Sequence, residues 1–121
     1  MKHLLLVDDD DAILESLQLL LEDSYKVSLA RHGAEALDRL EREPFDAILL
    51  DLMMPVMDGE ALVRELKRRG IAVPIVIGSA GANVRERAEQ LEAMDWIRKP
   101  YDIEALEGKL ARASAGGQVP A

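Results

Sequence analysis

The sequence predicts an α/β domain with a doubly wound parallel sheet. Short, continuous apolar runs alternate with stretches of helical spacing, and glycine or proline stands at most of the joints between them. Apolar runs rich in branched side chains suit strands buried on both faces. Parallel neighbours of that kind need a helical crossover.

Leu4–Val7 reads as the first strand, and Ile13, Leu14, Leu17, Leu20 and Leu21 mark the apolar stripe of the helix behind it. Val27–Ala30 is the second strand, followed by a helix marked by Leu37 and Leu40. Ala47–Leu50 is the third, with Leu62, Val63 and Leu66 on its helix, and Val73–Ile77 the fourth, with Val84, Ala88 and Leu91. Trp96–Ile97 is the shortest run, and Ile103, Leu106 and Leu110 place a last helix after it. Gly33, Asp58-Gly59, Gly70 and Pro74 fall at the joints, where left-handed or fixed φ values are wanted. From Ala113 to Ala121 only small residues, Gln, Val and Pro occur, so this stretch reads as a tail or the start of a linker.

With 121 residues the chain fits one domain, and folding at that size hides roughly two-thirds of the extended surface. Its 49% hydrophobic and 31% charged residues are ordinary for a globular protein. There is no cysteine, hence no disulfide or thiolate metal site, and no early apolar stretch as long as a signal-peptide core or a membrane span. The expectation is a cytoplasmic domain with no membrane partner. A net charge of −8 repels phosphates, so direct nucleic-acid binding by this domain is not expected.

In doubly wound sheets, ligands bind beyond the carboxyl ends of the strands, where the strand order reverses. The first strand ends in Asp8, Asp9, Asp10 and Asp11, the third in Asp51, the fourth in Ser79, and the fifth leads into Lys99-Pro100. Two carboxylates about 5 Å apart repel by roughly 3 kcal/mol at an effective dielectric near 20, so three together call for a cation. Mg²⁺ suits such a place, because it is hard and takes carboxylates, a carbonyl and waters. A carboxylate held there is a candidate nucleophile toward a phosphoryl group, with the ion and Lys99 offsetting charge on the transferred oxygens and Ser79 hydrogen-bonding the product. Each residue also has a plainer reading. Asp10 or Asp11 caps the helix that starts near Ala12, Asp51 ends a strand, Lys99 is a surface lysine and Gly78-Ser79-Ala80-Gly81 is a turn. All four features standing at strand ends favours the chemical reading.

At these residues the sequence resembles the receiver domains of bacterial response regulators, over nearly the whole chain up to about Ala113. The matching segments are Leu4–Asp10, Asp46–Gly59, Pro74–Ala80 and Trp96–Pro100, the second being the most specific. The resemblance implies a flavodoxin-like (βα)₅ fold of strand order 2-1-3-4-5, with residues 1–113 as the receiver domain and 114–121 as a flexible tail or linker start. It implies that Asp51 is the phosphoacceptor and that Asp8, Asp9, Asp51 and the Met53 backbone carbonyl hold Mg²⁺. Ser79 and Lys99 would bind the phosphoryl group, Trp96 would shift with Ser79 as the switch, and Pro55, Gly59 and Pro100 would be structural. Lys99-Pro100 is often cis in this family. The implied partners are a histidine kinase or phosphotransfer protein and an output domain or effector, with catalysis limited to Mg²⁺-dependent self-phosphorylation and hydrolysis. Trp96 also has a plainer reading, as a ring covering the edge of the core.

The chain departs from the family pattern in three places. The stretch between Ser79 and Lys99 is about two residues shorter, which predicts a short or displaced fourth helix. Glu92 stands where a glycine often precedes alanine, and Gly78 where a branched residue often ends the fourth strand. Both predict a looser loop and a weaker or more mobile switch.

Three other function classes fit these residues less well. A phosphatase of the haloacid dehalogenase type would use Asp8-x-Asp10, but such enzymes are usually longer and Asp51 is the better nucleophile. A flavodoxin-like cofactor binder would offer hydroxyl and glycine donors, not four carboxylates, in its first loop. A scaffold that is never phosphorylated has no use for the complete acidic set.

Overall fold

The computed structural model of the protein describes residues 1–115. Five strands and five helices alternate: β1 (Lys2–Val7), α1 (Asp11–Leu21), β2 (Tyr25–Ala30), α2 (Gly33–Arg42), β3 (Ala47–Asp51), α3 (Gly59–Arg68), β4 (Ile75–Ser79), α4 (Val84–Gln90), β5 (Asp95–Arg98) and α5 (Ile103–Ser114). The strands form one sheet in the order β2-β1-β3-β4-β5, and every neighbouring pair is parallel.

Side chains alternate across a strand, so each apolar run feeds two cores. Leu5, Val7, Ile48, Leu50 and Ile77 face Leu37, Leu62, Leu66 and Val84 of α2, α3 and α4. Leu4, Leu6, Leu49 and Val76 face Leu14, Leu17, Leu106 and Leu110 of α1 and α5. That is why β1, β3 and β4 read as unbroken apolar runs. Burying one such leucine contributes roughly 1.5–3 kcal/mol, and Leu50→Ala would cost about 3 kcal/mol. Asp10, Asp58 and Asp102 cap α1, α3 and α5, each carboxylate accepting backbone N–H groups of the first turn.

The structure corrects several expectations. β4 starts at Ile75 and not at Val73, because Pro74 has no N–H to give the ladder, although its carbonyl accepts from Ile48 N–H at 2.9 Å. Leu20 is 50% exposed while Leu14, Leu17 and Leu21 are buried, so the stripe of α1 is narrower than its leucines suggest. Helix α5 runs to Ser114, which is buried together with Ala113. Residues 116–121 of the expected tail lie outside the described residues.

Helix α4 is short, as expected, with seven residues. The looser loop after it is not seen. Glu92 N–H donates to Glu89 and Ala93 N–H to Ala88, a Schellman cap with Glu92 at φ +59, a left-handed position that glycine would occupy without strain. Nor is there slack at Gly78: a Cβ there would lie 2.1 Å from the Tyr101 hydroxyl, so the ring of Tyr101 already fills the space a branched residue would take. The expected weaker switch loses both of its premises.

Candidate functional site

The parallel order brings the carboxyl ends of β1 and β3 side by side, with Val7 opposite Leu50. Asp8 and Asp51 come directly after this pair and are 3% and 4% exposed. Each is held by its own chain: Asp8 Oδ1 accepts from Asp10 N–H at 2.9 Å, and Asp51 Oδ1 from Met53 N–H at 3.2 Å. Asp9 is exposed beside them. Asp8, Asp9 and Asp51 each offer an oxygen within 4.8 Å of the others, and this donor set, hard and anionic, fits a divalent cation of the Mg²⁺ type.

Lys99 closes the site from β5. Its Nζ lies 2.7 Å from Asp8 Oδ2 and 3.3 Å from Asp51 Oδ2, with the side chain 15% exposed. Its N–H donates to Ser79 carbonyl at 3.0 Å, which ties the end of β5 to the end of β4, and the Lys99-Pro100 peptide is cis. Burial lowers the affinity of Lys99 for its proton, but the carboxylates of Asp8 and Asp51 outweigh it and hold the group above its ordinary value. Asp51 is also raised: burial is the largest cause, with the Met53 N–H and Lys99 opposing it and Asp8 adding to it. A carboxylate that burial makes reluctant to carry charge gains from a cation.

Ser79 is buried at the end of β4, one position past Gly78, which pairs with Asp51, and its Oγ accepts from Gly81 N–H at 3.1 Å. Met53 lies two residues past Asp51 and is 63% exposed. Gly59 is required by close approach, since a Cβ would meet Asp51 carbonyl at 2.7 Å. Pro55 carbonyl accepts from Met57 N–H in the loop before α3, and exposed Pro100 stands next to Lys99. Trp96 stands apart from the carboxylates, half-buried on the edge strand and opposite Ile77, with Lys109 Nζ 5.6 Å from its ring centre and bonded to Asp95 at 2.9 Å. Lys109 stacks its charge over that ring, a cation–π contact.

Two residues near the site were missed by the sequence reading. The Tyr101 hydroxyl is pushed up, first by burial and then by the charges of Asp8 and Asp51. The signal for it was Gly78, a vanished side chain that something larger had to replace. Arg87 of α4 bonds Glu60 of α3, and no local pattern announces a contact across 27 residues.

Residues 4–111 match the family model described as response regulator receiver domain. The response regulator MprA of Mycobacterium avium is 43% identical over 116 residues, which span 93% of this chain and 50% of that protein. The chain thus spans about half the length of the curated relatives it matches. Among solved structures, the receiver domain of the Francisella response regulator 1452 superposes with a TM-score of 0.89 at 26% identity, covering 98% of this chain and 100% of that one. The response regulator TrrA of Thermotoga maritima, solved in complex with Mg(2+)-BeF, superposes with a TM-score of 0.83 at 27% identity, covering 93% and 99%. By a family match over residues 4–111, most of its length, this chain belongs to the response regulator receiver domains.

Proposed function

We propose that Asp51 accepts a phosphoryl group from the phosphohistidine of a histidine kinase or phosphotransfer protein, and that the domain then switches conformation to control an output domain or effector in the cytoplasm. The observation that carries this is the buried Asp51 carboxylate at the end of β3, with Lys99 Nζ 3.3 Å away and Asp8 and Asp9 beside it. A bond from Asp51 to phosphorus forms as the phosphorus–nitrogen bond of the donor breaks.

Asp8, Asp9, Asp51 and the Met53 carbonyl would hold Mg²⁺, as the acidic trio and the Mg(2+)-BeF complex of the Thermotoga relative support. When bound, the ion supplies positive charge against the phosphoryl oxygens. Lys99 supplies a second positive charge from the β5 side, already fixed by Asp8. Ser79 accepts from Gly81 N–H, so its own proton is free to bond a phosphoryl oxygen. That bond would move the end of β4, and Trp96 on the neighbouring strand would move with it as the reporting residue. Pro55, Gly59 and Pro100 hold the loops around the acceptor. Catalysis is limited to self-phosphorylation and hydrolysis. The receiver domain spans residues 1–113, with helix α5 running on to Ser114.

Intact mass after incubation with acetyl phosphate and Mg²⁺ tests the reading. Wild type gains one phosphate and Asp51→Asn does not. A gain that survives Asp51→Asn and disappears with Asp8→Asn would move the acceptor to Asp8, as a dehalogenase-type phosphatase requires.

A further inference from the structure

Beside the carboxylate trio a second cleft of about 440 Å³ opens, lined by Asp9, Met53, Pro55, Asp58 and Arg87 over a floor of Leu52. It joins the site through Asp9 and Met53. Arg87 is the one cation among its described lining residues. Its Nε and Nη2 donate at 3.0 and 2.7 Å to the same oxygen of Glu60, so the pair is not the two-oxygen fork that guanidinium and carboxylate form at their best, and Nη1 has no hydrogen bond among the described residues. Both side chains are about 30% exposed, which leaves the guanidinium reachable from the cleft.

A small phosphodonor that enters here passes exposed Asp58, which repels a dianion, and Asp9, whose charge the Mg²⁺ it would hold offsets. Lys99 is on hand only deeper in, where it already serves Asp8 and Asp51. We propose that Arg87 is a donor-selecting residue for phosphoryl transfer, receiving the oxygens of small dianionic acyl phosphates in this cleft by turning its unused donors toward them. The inference rests on Asp51 as acceptor and adds which donors the site admits. With acetyl phosphate, an Asp51 oxygen bonds phosphorus as the phosphorus–oxygen bond breaks and acetate leaves with that electron pair. With phosphoramidate, which carries less negative charge, the phosphorus–nitrogen bond breaks and ammonia leaves with the protons already on nitrogen. A protein donor is brought by its own docking contacts and depends less on Arg87.

Initial rates of labelling of the purified chain with Mg²⁺, tracked by intact mass at a series of donor concentrations, provide the test. Arg87→Gln should cut the acetyl phosphate rate constant roughly tenfold, the low end of what charge focusing in a cleft achieves, by raising the half-saturating concentration and leaving the limiting rate unchanged. With phosphoramidate the loss should stay below about twofold. Arg87→Lys should retain most of the acetyl phosphate rate, and Glu60→Gln should raise it, both at a melting temperature close to wild type. Equal losses with the two donors would reduce Arg87 to an anchor of α4, and no loss with either would remove it from the reaction; each result overturns the inference. If wild type takes no label from either donor, the acceptor reading itself falls and this inference goes with it.

Discussion

At the rim of the sheet Lys99 meets Asp8 at 2.7 Å, with the two side chains 15% and 5% exposed; along α3, Arg69 meets Glu65 at 2.7 Å, with 35% and 23% exposed. The contact distances are equal and the surroundings are not. Arg68 and Arg69 hold Glu65 down to about 2, far below its ordinary value of 4.5, but the cluster lies at the surface with Arg68 69% exposed, and solvent screens it, so it contributes little stability. At the rim, water is largely excluded, and removing one partner leaves an uncompensated buried charge. The exposed cluster shapes a surface. The buried one ties together the chain ends that meet at the rim, with Lys99 on both Asp8 and Asp51.

Replacing Lys99 by Met should have the largest effect, a loss of about 3 kcal/mol in urea unfolding without divalent ion, partly recovered when Mg²⁺ is added. An unchanged midpoint would put the rim in the same class as α3. The rim is packed as well as charged, so Gly78→Val should cost about 2 kcal/mol through the Tyr101 ring, and adding Tyr101→Phe should return part of it. Additive losses in the double variant would mean that the two residues do not share the space.

Asp51→Asn should move stability the other way, raising the melting temperature by a few degrees at neutral pH without metal. The sign comes from the raised pKa: the folded chain holds the Asp51 proton more tightly than the unfolded one, so stability falls as pH climbs from 3.8 through the folded value. The advantage of the Asn variant should therefore fade below pH 3.8, and Mg²⁺ should stabilise wild type more than the variant. A variant that melts below wild type at neutral pH would contradict this. Glu65→Gln should be the smallest change, about a degree in melting temperature and less at high salt. Its lowered pKa contributes stability above pH 4.5 that disappears as pH falls toward 2, so any difference should close in acid. A large, salt-resistant loss would make α3 more than a solvated surface.

Much of this contrast was legible beforehand. Glu65, Arg68 and Arg69 stand three and four residues apart, the helical neighbour spacing, and Asp8 and Asp51 end apolar runs that had to be strands. Misjudged were the effects of single residues whose neighbours lie elsewhere in the chain. Glu92 suggested slack, yet it closes a Schellman cap in a left-handed conformation and pairs with Lys67 of α3 at 2.5 Å. Gly78 suggested mobility for want of a side chain, and Tyr101 supplies one. Leu20 counted as core because its spacing allowed it, but half of it stays in solvent.

By itself the sequence determined the alternation of elements, both faces of the core and the acidic ends of β1 and β3, because period and burial are written locally in which residues are apolar. Only the tertiary structure decided that Lys99 closes on an aspartate 91 residues away, that Tyr101 takes the place left by Gly78, and that Arg87 reaches the cleft beside Asp9. Those contacts depend on strand order and on how helices settle over the sheet. Both are non-local balances of packing and solvation that no window of neighbouring residues contains.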